Sequence, residues 1–217
     1  MFNRHLAVGF ASKRWAPRTS LAVLLAAPLL ADMIWPVLVL LGVETVRIVP
    51  GVTVVTPLAF DSYPWSHSLL FDAIWAALFA GAVYAVQKDR TAALVVAIGV
   101  VSHWVLDVIT HAPDMPVWPG GPRVGLSLWN SVAGTVVTEI VMFTIGVALY
   151  ATATRARDRT GHVALWSLVL LLGALYVANV MSPPPPSIAP VAWFGVAATL
   201  IFTAWAWWID RHRVAGG

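Results

Sequence analysis

His103, Asp107 and His111 recur every four residues in SHWVLDVITHAPDMP, a run otherwise apolar enough for a bilayer. On an α-helix that spacing stacks the three side chains along one stripe. A charged group near a bilayer centre costs about 2.5–3.5 kcal/mol, so residues of this kind inside a membrane mark a functional site by default. Imidazole and carboxylate together are a ligand set for zinc or a similar divalent cation. Such a cation would neutralise buried carboxylates and lower the pKa of bound water toward ~7, which makes a nucleophile near neutral pH. Asp32, His67, Asp72 and Glu139 are the other ionisable residues in or beside apolar stretches. A carboxylate free of the metal, Asp32 above all, could take the proton of that water.

The elements that carry these residues are membrane helices. The chain has 217 residues, 59% of them hydrophobic and 11% charged, against about 25% charged in soluble domains. Apolar runs at about 19–42, 66–87, 91–111, 127–150, 163–181 and 190–209 each approach the ~20 residues that cross a bilayer. Backbone groups in hydrocarbon must be paired within the segment, so the expected fold is all-α, a polytopic bundle of about six transmembrane helices. Residues 1–18 read as an interfacial segment, 19–150 as four spans carrying the site, and 151–217 as two packing spans with a cytoplasmic tail. The first apolar run is long enough to read as an uncleaved span rather than a signal peptide.

Alternating through six spans leaves Arg47 and Arg123 alone on one side and the other eleven of the 13 Lys and Arg residues on the opposite side. The positive-inside rule then puts both termini in the cytoplasm and the His/Asp cluster toward the outer face. His5, before the first span, would lie apart from an outward-facing site. Thr135 and Ser131, on the same face as Glu139, could satisfy its carboxylate locally. With no cysteine in the chain, a metal must take nitrogen and oxygen ligands. The dispersed basic residues speak for membrane topology and against a nucleic-acid partner.

The series His5 in RHLAVG, Asp32 in LLADMIWP, His67 in PWSHSLL and His103-x-x-x-Asp107 resembles the YdjM-type family, described as bacterial inner-membrane metal-dependent hydrolases. That family is more remotely similar to zinc-dependent phospholipase C and single-strand nucleases. The resemblance implies His67, His103 and Asp107 as ligands of one metal, most simply zinc, with Asp32 as base. It assigns His111 and Glu139 to a second metal and adds His5 to the candidate ligands. Where the remote relatives carry a further His, this chain has Thr135, which weakens the second metal. The implied activity is hydrolysis of a lipid or phosphoester, with membrane lipids as surroundings and a small-molecule or lipid substrate. A proton- or cation-coupled transporter is the alternative reading of the same intramembrane acids and histidines.

Overall fold

The computed structural model describes residues 2–216. Helix α1 (Asn3–Ser12) is followed by α2 (Leu21–Leu40), then a hairpin of β1 (Thr45–Ile48) and β2 (Leu58–Ser62). A single helical turn, α3 (Pro64–His67), leads into α4 (Leu69–Gln87) and α5 (Arg90–Thr110). A short ladder of β3 (Met115–Pro116) and β4 (Arg123–Val124) precedes α6 (Val132–Ala153). After β5 (Thr154–Ala156) come α7 (Arg159–Met181), α8 (Ile188–His212) and β6 (Arg213–Ala215), which pairs with β5. The all-α membrane fold expected from composition is therefore present, with short two-stranded ladders only at its ends.

Six of these helices (α2, α4, α5, α6, α7 and α8) are long and apolar enough to cross a membrane. Their starts follow local chemistry. Ser20, Ser68, Asp89, Ser131 and Asp158 each accept a backbone N–H from the first turn of the helix they precede, which satisfies otherwise orphaned donors. Ser68 explains why the second span starts later than its apolar run: its extended backbone separates α3 from α4 and leaves His67 outside the long helix. His111 likewise falls just past α5, at an extended C-cap, not within the helical stripe.

Apolar and polar side chains are distributed inside-out. Leu78, Leu94, Leu170 and Leu200 are exposed, whereas Arg4, His5, His67, Asp72, His103, Asp107 and Glu139 are buried. Only a surrounding of hydrocarbon makes that arrangement favourable. The strongest packing pairs are α4 with α5, α1 with α6, and α2 with α8. Within residues 1–18, expected as an interfacial segment, α1 is wedged among α2, α5 and α6 with Leu6 and Phe10 fully buried. Two glycines permit this. A Cβ on Gly9 would meet the Leu24 carbonyl oxygen at 2.6 Å, and one on Gly146 would meet the Ala7 carbonyl oxygen at 2.4 Å. Close approach through small residues is how helices associate tightly where lipid gives no hydrophobic drive.

Candidate metal centre

Four histidines turn their Nε2 atoms toward Asp107. His5 and His103 each lie 3.1 Å from a carboxylate oxygen, Oδ1 and Oδ2 respectively. His111 and His67 lie 3.7 and 3.9 Å from Oδ2. His67 Nε2 is also 3.6 Å from Asp32 Oδ1. The spacing of His103, Asp107 and His111 supplied three of these groups. α3 brings His67, α2 brings Asp32, and α1 brings His5, whose ring stacks on His103 with centroids 4.1 Å apart. His5, which a cytoplasmic position would have kept apart yet the resemblance counts among the ligands, is brought to the cluster because α1 enters the bundle.

Partners behind the rings decide which nitrogen carries the lone pair. His103 Nδ1 donates to the Pro28 carbonyl at 2.8 Å. Gly99, one turn earlier on α5, lets the helices close: a Cβ there would come within 3.1 Å of Ala27. Ser66 donates its hydroxyl to Glu44 and accepts from His67 Nδ1 at 2.7 Å. His111 Nδ1 donates to Asp114 at 2.9 Å, and the Tyr63 hydroxyl donates to the same carboxylate. Each arrangement protonates Nδ1 and leaves Nε2 unprotonated toward the centre, as in carboxylate–histidine–metal sites. Burial, together with Asp114, pushes the Tyr63 phenol well above its ordinary pKa, so Tyr63 keeps the proton it donates to Asp114.

Arg4 is the group that sequence spacing missed. One of the eleven basic residues that the charge bias puts on the cytoplasmic side, it is 1% exposed. Its guanidinium bridges Asp107 and Glu139, with Nη1 2.6 Å from Glu139 Oε1 and Nη2 bonded to Asp107 Oδ1 and Thr110. The Arg4 backbone N–H donates to Glu139 Oε2 at 3.0 Å. Glu139 is therefore held by Arg4. Thr135 donates to the Leu128 carbonyl, and Ser131 accepts from Gly134. The local satisfaction expected for Glu139 is replaced by a partner 135 residues away, and the structure does not bring Glu139 to the imidazoles. Asp72, buried one turn into α4, accepts from the Trp104 backbone at 3.2 Å and stands outside the cluster.

The donor set fits a divalent cation. Ligand atoms of His5, His103 and Asp107 lie within 4.8 Å of one another, and so do those of Asp32, His67 and His103. His103 Nε2 is buried without a hydrogen-bond partner among the described residues. It lies close to Asp107 Oδ2 yet out of line for a hydrogen bond, as expected of two ligands aimed at a common point between them. Asp32, Asp107 and Glu139 against Arg4 leave two negative charges if the histidines are neutral, which one divalent cation would cancel. The two ligand groups share His103, and its one available lone pair can serve only one ion.

A cavity of about 220 Å³ opens onto the cluster. One wall carries Arg4, His5, Asp32, His67, Asp107 and His111. The opposite wall includes Phe194, Thr199 and Phe202 of α8 and Asn179 of α7, so the last two spans, expected to be packing partners alone, also shape the site. The Asp32 side chain is 38% exposed against 4% for Asp107, which places Asp32 at the cavity surface and Asp107 at its base. Trp129 lines this space with its ring 4.1 Å from that of His111.

No curated protein and no solved structure matches the chain. A family sequence model, described as YdjM inner membrane protein, matches residues 5–184, from the first histidine of the cluster to beyond α7. With that span covering most of the chain and every residue of the His/Asp cluster, the protein belongs to the YdjM inner membrane protein family.

Proposed function

We propose that this membrane protein is a metal-dependent hydrolase acting on a lipid or phosphoester at the outer side of the inner membrane. The observation that carries the reading is the pair of His/carboxylate groups sharing His103, whose other members (His5, Asp107, Asp32 and His67) line a cavity. His67, His103 and Asp107 are the ligands we favour for one cation, most simply zinc, with His5 and Asp32 flanking it. When bound, such a cation supplies Lewis acidity and acidifies water. Asp32, at the cavity surface beside His67, is placed to accept a proton. Arg4 and His5 hold Asp107 Oδ1, which leaves Oδ2 facing His67, His103 and His111. The end of the bundle bearing Arg47 and Arg123 is assigned to the outer face by the positive-inside rule.

Elemental mass spectrometry on detergent-purified protein tests this directly. Wild type is expected to hold about one equivalent of a transition metal, since His103 has one lone pair to give, and His103→Ala to lose it. Asp32→Asn should keep the metal while losing hydrolysis of bis(4-nitrophenyl) phosphate. A wild type without metal after reconstitution with zinc would end the hydrolase reading. Equal metal loss in both variants would instead make Asp32 a ligand.

A further inference from the structure

Phe2, Leu58, Asn179, Val191 and Phe194 line both the site cavity and a second cavity of about 540 Å³. The larger space lies between the loop of the β1–β2 hairpin, the end of α7 with its proline run, and the first turns of α8. No charged residue lines it. The charged and imidazole groups all belong to the smaller cavity. The two adjoining spaces, with these five residues between them, grade from uncharged walls of Val, Pro, Phe and a few Thr and Ser to an ionic end. The larger space alone, at about 540 Å³, is in the range of specific ligand sites, roughly 300–1,000 Å³. A wholly water-soluble phosphoester has no use for an uncharged annex more than twice the size of the site.

We infer that the two adjoining spaces bind one hydrocarbon chain of a lipid phosphoester, with the ester at the His/Asp cluster and the chain between the hairpin loop and the α7–α8 turn. This rests on the hydrolase reading and narrows its substrate to an amphiphile. Apolar burial along the chain supplies affinity, and the ionic end sets the direction of entry. The hairpin loop and α8 then act as the two sides of a slot, with Phe194 and Val191 at the point where the two cavities meet.

Photo-crosslinking in phosphatidylcholine nanodiscs tests it, with lysophosphatidic acid bearing a diazirine at the chain terminus. Label is expected on peptides covering residues 50–58 and 190–194, and unlabelled lysophosphatidic acid should compete it away. Ala178→Trp, which fills the slot, should cut that label about tenfold by displacing two or so methylenes, with metal content unchanged. Equal labelling of these peptides by a diazirine alkane without a headgroup would overturn the inference, as would full labelling of Ala178→Trp. Specific labelling of His103→Ala in the absence of any hydrolysis by wild type would support the slot while the hydrolase reading fails. A wild type that cleaves bis(4-nitrophenyl) phosphate but takes no label in the slot would do the reverse.

Discussion

Four imidazoles present Nε2 to Asp107, and in three of them an acceptor behind the ring fixes the tautomer. These acceptors differ in kind: a proline carbonyl for His103, a serine tied to Glu44 for His67, and Asp114 for His111. Glu44 is the most heavily committed, since it takes the Trp65 and Ser66 backbone N–H groups as well as the Ser66 hydroxyl. It therefore fixes both the turn that carries His67 and the ring itself. Ser66→Ala removes the link without removing a ligand. We expect metal affinity to fall about 10–100-fold, measured by competition with a chromophoric chelator, with helical content unchanged. Unaltered affinity would take His67 out of the ligand set. At the rim, Arg47 bonds both oxygens of Asp61 and holds its carboxyl below the ordinary range, but an exposed pair of this kind contributes little to stability.

Among the elements, α1 departs furthest from expectation. Ten residues are too few to span a bilayer, and Arg4 makes the segment look surface-bound when read alone. Its stability inside the bundle depends on Asp107 and Glu139, which lie 103 and 135 residues away, so no local pattern could disclose it. By contrast, the pairing of His103 with Asp107 on α5 was legible because helix geometry alone brings them together, and His111 joins them from an extended C-cap just past the helix. The contact of α1 with α6 turns on Gly146. Gly146→Val would drive its side chain into the Ala7 backbone, an overpacking cost of about 1–3 kcal/mol. A lowered melting temperature with loss of bound metal is expected. Gly173→Val, with nothing within 4 Å of the added Cβ, should change neither. Retention of both properties in Gly146→Val would mean that α1 does not need its close seat on α6.

For the whole molecule, the six spans were legible because a bilayer demands length and apolarity, and both are visible in sequence. Their ends were legible only in part: Ser68 and Ser131 cap α4 and α6 within apolar runs and move the boundaries inward. Charge pairing sorts the two ends of the bundle. Arg47 and Arg123 converge on Asp61 at one end, while Lys13 with Asp210 and His212 with Asp158 lie at the other. The cavity's far wall, from α7 and α8, carried no sequence signal, since Phe, Thr and Asn in a span read as ordinary packing. Because the chain has no cysteine, single introduced thiols report sidedness directly. Thr56→Cys should react with an impermeant maleimide from outside intact cells, and Arg157→Cys only after permeabilisation. The opposite pattern would invert the assigned orientation and place the cavity toward the cytoplasm.

The buried seat of α1 also constrains the order of biosynthesis. Synthesis runs from the N-terminus, so Arg4 and His5 are made before the helices bearing Asp107 and Glu139 exist. Until α5 and α6 have been inserted, the guanidinium has no carboxylate to meet and stays in water or among headgroups, because an unpaired charge in hydrocarbon is costly. The earliest segment of the chain is thus among the last to dock, and its docking brings His5 to the cluster. A chain arrested before α6 would leave Arg4 with Asp107 alone and without Glu139, so the docking of α1 reports that both α5 and α6 are in place.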